Sequence, residues 1–475
     1  MSEGEKRLQP DTPEPQPDTL KIKRTEVMKI DSISANKWWE DVDEDSEVKW
    51  RSLKHHGVYF QPRLKQLHIK ATILEKEIEL THNQEEVLLW YAKIKDTEFG
   101  QKPKVITNME TELKLLFPEI KSINDISWTP ILQILKQFEE KSREKTEEQK
   151  KLEKLDKFQI ETHYGYALVD GAREKISNFM VEPPGIFRGR GEHPHAGRLK
   201  HRIIPENVII NVGENDPVPK CTLSGHSWKK IVHNYESTWL ACYSDDMHQG
   251  HKKYVFLDAT SKFKGLNDMK KYEKARKLKS HIEKIREDYV KMLGDSNKSN
   301  QQLGTAAYLI DRLALRVGNE KGEDEADTVG CCSLRVEHIK LGEDDMVTLD
   351  FLGKDSMRYF NTVKIDKLVY TNLQSFVKGK VPKDDLFEQI NASKLNDYLK
   401  RLMPDLSAKV FRTYNASITL QIELDKFADS QESESIDAKV KFYNDANRQV
   451  AILCNHQKTV PKNFNVQSDK IQGQV

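Results

Sequence analysis

The period of the apolar residues changes near residue 262, and that change limits the architectures open to this chain. Between about 158 and 260, apolar residues fall in short runs: Val208-Ile209-Ile210-Asn211-Val212, residues 238–243 and Tyr254-Val255-Phe256-Leu257, with Asn215-Asp216-Pro217 between them. Short β-prone runs bounded by turn residues predict strands. Beyond 262 the spacing is helical. Residues 301–320 put Leu309, Leu313 and Val317 at i, i+4 and i+8, which predicts one amphipathic helix. Residues 332–341, 347–352 and 357–365 read as a small antiparallel sheet, after which helix resumes to Gln457. The expected fold is therefore α+β and multidomain, and 475 residues allow about three domains at ~150 residues each.

Residues 1–36, rich in Pro, Asp, Glu and Lys, read as a disordered tail. Order is expected from Lys37-Trp38-Trp39, the tryptophans serving as packing anchors. Residues 53–140 mix short strands with helices: 57–62 reads as extended, 85–94 and 131–138 as helical. From 139 to 157 the only apolar residues are Leu152 and Leu155, which predicts a solvated helix bridging two domains. Residues 465–475 read as a frayed end.

Charge excludes a simple polyanion binder. Lys and Arg number 76 against 75 Asp and Glu, a net charge of +1, so attraction to nucleic acid must come from local clustering. No apolar run approaches the length of a membrane-spanning helix. No GxxxxGK[ST] supports ATP use, no HExxH or EF-hand loop occurs, and the histidines lack a supporting ligand set. The five cysteines include no CxxC, which argues against a zinc site or disulfide framework and for a reducing compartment. Neither metal nor cofactor is expected.

Cationic residues do cluster. Residues 262–291 hold eleven Lys/Arg against five Asp/Glu. Pro183-Pro184-Gly185-Ile186-Phe187-Arg188-Gly189-Arg190-Gly191 is a glycine-punctuated loop whose arginines could enter a minor groove, although a plain surface loop reads as well. Lys354 sits in a turn, Leu352-Gly353-Lys354-Asp355-Ser356. Arg316 is expected near the end of the 301–320 helix, Arg412 within a second helix and His456 at the end of a third. Each could be a structural ion pair or a satisfied core group. Together they are the set that phosphodiester chemistry needs: two guanidiniums to grip non-bridging oxygens, a lysine to protonate a leaving 5′-oxygen and a histidine to donate to the phosphoryl group.

On these residues the chain resembles the core of the eukaryotic type IB DNA topoisomerases. The matching blocks are Lys37-Trp38-Trp39-Glu40, PPGIFRGRGEHP (183–194), RIIPENVIINVG (202–213), DRLALRVGNEK (311–321), DTVGCCSLRVEHI (327–339), DFLGKDSMRYF (350–360), AKVFRTYNASITLQ (408–421) and NRQVAILCNHQ (447–457). The resemblance implies a DNA clamp with two mixed α/β cap subdomains, one at 37–52 plus 145–261 and one at 53–144. A mostly helical, tyrosine-recombinase-like core would occupy 262–464. It implies catalytic roles for Arg316, Lys354, Arg412 and His456. It implies DNA contacts for Arg190, Lys253, Tyr254, Lys271, Arg316, Val317, Gly318, Asn319, Glu320, Lys321, Thr328, Lys354, Ser407, Ala408 and Lys409. The activity implied is ATP-independent relaxation of supercoiled DNA through a transient 3′-phosphotyrosine, in the nucleus, with mitochondrial (kinetoplast) DNA as a second substrate.

The family's nucleophile lies in a Ser-Lys-x-x-Tyr motif after the CNHQ block, whereas the last tyrosine of this sequence is Tyr443. The expectation is a large subunit of a two-subunit enzyme, as in kinetoplastid protozoa, with a small subunit carrying the tyrosine as its partner. A truncated core and a non-catalytic duplex-binding clamp remain as alternatives. Ser393-Lys394-Leu395-Asn396-Asp397-Tyr398 imitates the motif with one residue inserted, which turns Tyr398 by ~100° about a helix relative to Lys394; Tyr398 is expected to be a packing or solvent-facing residue.

Overall fold

The computed structural model describes residues 48–457 except 246, 248–249, 323 and 429–434. The expected tail at 1–36, the tryptophan block at 37–40 and the frayed end lie outside the described residues. The chain divides into two compact units, one of residues up to Gly189 with His193–Asn267, the other of Arg190–Glu192 with everything from Asp268.

In the first unit the chain runs through β1 (Leu53–His55), the hairpin β2 (Lys70–Ile73) and β3 (Lys76–Glu79), and helices α1 (His82–Ala92), α2 (Pro103–Leu116), α3 (Thr129–Arg143) and α4 (Glu147–Tyr164). Strands β4 (Tyr166–Val169), β5 (Ala172–Lys175), β6 (Gly185–Ile186), β7 (Leu199–Lys200), β8 (Val208–Asn211), β9 (Lys230–Val232), β10 (Trp239–Ser244) and β11 (Lys252–Phe256) follow. Three short strands pair in the order β1-β4-β5, and four in the order β11-β10-β8-β9 with β8 and β9 parallel. Two separate apolar cores result. Val87, Leu88, Met109, Leu113 and Ile131 bury one face of α1–α3 against the β2–β3 hairpin, while Trp50, Leu53, Val208, Ile210 and Ala241 fill the other.

The single solvated helix expected over 139–157 is two helices. Thr146 accepts from the Gln149 amide while the Gln149 side chain accepts from the Thr146 amide. This capping box satisfies two orphan donors and starts a new helix inside a run that charge alone reads as continuous.

Helix α5 (Lys262–Leu293) leads into the second unit, which holds α6 (Lys298–Leu313), β12 (Ile339–Leu341), β13 (Met346–Leu352), β14 (Arg358–Lys364), α7 (Lys367–Val377), α8 (Ala392–Leu402), α9 (Ala408–Ala428) and α10 (Ile436–Leu453). Leu303, Ala306, Leu309 and Ile310 of α6 are buried among residues of α5, α7, α8 and α9. The three strands form one antiparallel sheet in sequence order. Two expectations change. The strand predicted over 332–341 is only three residues long, because Cys331–Ser333 and Val336–His338 are single 3₁₀ turns. Helix α6 stops at Leu313 rather than near 320, because Ala314 takes a left-handed conformation (φ 49°).

His55 gives the first unit a pH signature. It is buried; its Nε2 lies 2.8 Å from the Asn211 carbonyl, and its Nδ1 accepts the Gly57 N–H at 3.1 Å. This fixes the Nε2-protonated, neutral tautomer. Burial, with the neighbouring His56, pushes its pKa down to about 4. The unfolded chain takes up a proton near ~6.5 that the folded chain refuses until about 4. Stability is therefore lost as pH falls through that window, by on the order of 3 kcal/mol. In urea titrations, His55→Gln should flatten the decline between these two pH values relative to the parent chain; an identical pH slope would contradict the assignment.

Candidate active site

Helix α9 carries Arg412 four residues after its start, half-buried in the second unit. Its guanidinium donates to two backbone carbonyls, Nη1 to Ala314 at 2.7 Å and Nη2 to Cys454. Both acceptors are the C-cap residues of their helices, α6 and α10. Carbonyls at helix C-termini lack intrahelical donors and carry partial negative charge. A guanidinium has more N–H donors than two carbonyls consume, so the rest remain for an anion.

The segment after Ala314 carries Arg316. Its carbonyl accepts from the Cys331 amide at 2.8 Å, and that of Val317 from the Cys332 amide at 2.7 Å. Beside these bonds Gly318 (φ 76°) crosses Gly330 so closely that a Cβ built on Gly330 would stand 2.5 Å from the Gly318 Cα. Only two glycines permit that approach. The same strip reaches the third site residue: the Val329 amide donates to Leu352 at 2.8 Å, fixing the end of β13 where the turn with Lys354 begins. Within that turn Asp355 (φ 67°) and Ser356 (φ 58°) are both left-handed, and Asp355 ion-pairs with Arg190.

His456 is placed by the way α10 ends. Asn455 is left-handed (φ 48°). The Asn455 amide donates to the Ile452 carbonyl at 3.0 Å and the His456 amide to that of Ala451 at 2.8 Å. These are the two bonds of a Schellman C-cap, with Asn in the place usually held by Gly. The Asn455 and Gln457 side-chain amides both donate to the Arg358 carbonyl, at 3.1 and 2.9 Å. They fasten the tail of α10 to the first residue of β14 on either side of His456. Arg358 is itself gripped by Asp350 through two 2.7 Å bonds.

Arg316, Lys354, Arg412 and His456 thus line one concavity of about 190 Å³, together with Asp355, Tyr359 and Gln457. Burial and the neighbouring Arg316 charge lower the pKa of Arg412. Burial, Arg412 and Arg316 lower that of His456, so its imidazole is neutral near pH 7 and offers one N–H. The cavity is a cationic cup with one neutral donor, and an anion entering it relieves the like-charge repulsion.

Other expected contacts are distributed more widely. Tyr254 on β11 is exposed. Lys253 beside it is engaged by Glu182 and by Asp245 at 3.1 Å. Lys271 on α5 lies 3.3 Å from Asp268 and 4.5 Å over the Tyr272 ring. Asn319, Glu320, Lys321 and Lys409 are exposed, and Gly318, Val317 and Ser407 partly so. Thr328 and Ala408 are buried, and the Ala408 amide is spent on Asn396 Oδ1; their side chains are withdrawn from any surface ligand, against expectation. Tyr398 on α8 is buried and donates to Asp288 at 2.7 Å. Burial and Asp288 raise the pKa of its phenol, the opposite of an activated nucleophile. Sequence reading missed Arg358, Asn455 and Gln457, although the Asn before His456 is a recognisable C-cap signal.

Residues 48–257 match the family description "Eukaryotic DNA topoisomerase I, DNA binding fragment" and residues 260–475 match "Eukaryotic DNA topoisomerase I, catalytic core". The chain is 46% identical over 430 residues to DNA topoisomerase 1 beta of Arabidopsis thaliana, covering 90% of this chain and 47% of that protein. It is 43% identical over 458 residues to DNA topoisomerase 1 of Caenorhabditis elegans (92% and 56%). It is 41% identical over 456 residues to DNA topoisomerase 1 of Homo sapiens (92% and 58%). The chain spans about half the length of these relatives. Among the described residues, no helix is long and apolar enough to cross a membrane.

The glycine crossing yields a paired test. Gly330→Ala forces a backbone shift beside Arg316 and should cost about 1–3 kcal/mol of unfolding free energy. Gly322→Ala, with nothing within 4 Å of its Cβ, should stay within about 0.5 kcal/mol of the parent. Chemical denaturation of both variants decides it.

Proposed function

The chain belongs to the eukaryotic DNA topoisomerase I family, and on that premise we propose that it grips duplex DNA and supplies the phosphate-handling side chains of a strand cleavage and religation that relaxes supercoils without ATP. The observation carrying this reading is the convergence of Arg316, Lys354, Arg412 and His456, separated by up to 140 positions in the sequence, on one cavity.

Arg316 and Arg412 hold the non-bridging oxygens of the scissile phosphate, where charge builds up in the transition state. His456, neutral, donates one further hydrogen bond to them. A tyrosine oxygen, its phenolic proton released to solvent, attacks phosphorus and the P–O5′ bond breaks. Lys354 delivers its proton to the departing 5′-oxygen, an otherwise poor leaving group. The covalent product is a 3′-phosphotyrosine. In religation the 5′-hydroxyl attacks, Lys354 regains the proton and the tyrosine leaves.

In this reading the attacking tyrosine is that of the family's Ser-Lys-x-x-Tyr motif and not Tyr398, which is committed to Asp288. The relatives' names, DNA topoisomerase 1 or 1 beta, lend no support to the expected separate small subunit; a tyrosine on either carrier meets the same four side chains. The clamp arrangement belongs to the same proposal, with caps at 37–52 plus 145–261 and at 53–144 and a tyrosine-recombinase-like core at 262–464. Among the DNA contacts whose side chains reach the surface are Arg190, Tyr254, Lys271, Arg316, Asn319, Glu320, Lys321, Lys354 and Lys409. Nuclear DNA is the proposed substrate.

Supplying a Ser-Lys-x-x-Tyr segment, fused or separate, should give ATP-independent relaxation, and Arg412→Ala should slow it by about 10²–10³-fold. Wild-type relaxation by that variant would overturn the assignment. DNA affinity should fall steeply with salt, log Kd rising linearly with log salt concentration; a salt-independent affinity would sink the electrostatic reading.

A further inference from the structure

Three residues beyond Arg412 on α9, Asn415 makes a contact that phosphate handling does not require. Its side chain is buried, and Nδ2 donates to the Asp311 carbonyl at 2.5 Å. Asp311 lies three residues before Ala314, the acceptor of Arg412. The two bonds, Asn415 to Asp311 and Arg412 to Ala314, are therefore successive rungs between antiparallel helices, since residues three apart share a helix face. Both acceptors belong to the end of α6, where carbonyls have no intrahelical donor.

The far side of the first rung is fixed as well. The Asp311 carboxylate has no solvent exposure. It is held by Arg286 of α5 at 2.9 and 3.3 Å and by the Tyr289 hydroxyl at 2.9 Å. A fully buried carboxylate with this many partners has one low-energy position, so the backbone of α6 at Asp311 is anchored to α5.

We propose that Asn415 is a positioning residue: it locks the rotation of α9 against the anchored end of α6 and so sets where the Arg412 guanidinium stands relative to the scissile phosphate. With a single rung the rotation of α9 against α6 rests on apolar packing alone, which tolerates small shifts; two rungs one helical turn apart add a directional constraint. Displacements of about 1 Å in such a group cost on the order of 10²-fold in rate. The inference rests on the reading above that Arg412 grips phosphate, but the lock itself is measurable without catalysis, because Arg412 lies close enough to His456 to lower its pKa.

The test uses the full 475-residue chain. Asn415→Ala removes the rung; Asn415→Leu removes the donor while keeping most of the volume, should the smaller residue fail to fold. Tyr289→Phe deletes one bond to the Asp311 carboxylate and leaves the rung, a control for lost stability alone. The readouts are the His456 pKa from imidazole NMR, assigned with His456→Gln, the melting temperature, and single-turnover cleavage with a supplied tyrosine segment. Both Asn415 variants should raise the His456 pKa toward ~6.5 and slow cleavage about 10-fold or more with DNA affinity within about twofold. Tyr289→Phe should lower the melting temperature and leave the His456 pKa and the cleavage rate unchanged. An unmoved His456 pKa in the Asn415 variants, or the same pKa and rate changes in Tyr289→Phe, overturns the lock. A raised pKa with wild-type cleavage upholds the lock and overturns the role given to Arg412.

Discussion

A guanidinium shared between two helix ends governs the second unit. Arg412 bonds to the final carbonyl of α6, two residues before Arg316, and to that of α10, two residues before His456. A half-buried charge is unfavourable unless its donors are satisfied. Each charge-assisted bond contributes on the order of 1.5–3 kcal/mol. The same two bonds fix the register of three chain segments around one point. Arg412 is thus part of the scaffold as well as of the cup, and moving it disturbs both neighbours.

The backbone around the cup is strained where side chains must converge. Ala314, Asp355 and Asn455 are non-glycine residues with left-handed backbones, and all three line the cavity; Ser356 adjoins it. Each costs roughly 1–2 kcal/mol relative to a right-handed conformation. The bonds that over-determine them are Arg412 to Ala314, the 329–332 strip beside the Lys354 turn, and the Schellman cap at Asn455. Such strain persists where the surroundings leave no alternative, and it gathers at functional sites.

Electrostatics completes the picture. The Arg316 charge disfavours that of Arg412, and both depress the pKa of His456. A cup of this kind is poised for a multiply charged anion and gains most when charge on that anion grows. A phosphoryl group passing through its transition state satisfies this requirement. The short-range ion pairs elsewhere, such as Lys253 with Glu182 and Asp245, answer the same problem internally, by pairing each cation with a carboxylate.

Sequence pattern carries the alternation of element types, the strands of β8, β10 and β11, the hairpin around Lys354 and, through local motifs, the four residues of the cup. These are encoded by period and by local blocks, which depend on near neighbours. It did not determine where α6 ends, because the apolar spacing of Leu309, Leu313 and Val317 continues past Leu313 and Ala314 carries no stop signal. That helix is ended by its surroundings: Arg412, 98 positions away, takes its last carbonyl. Nor could it show that Asn415 and Asp311 meet, or that Gly318 and Gly330 cross. Such contacts arise in three dimensions, because a hydrogen bond between distant segments is set by how helices dock, and no periodicity in one segment records the position of another.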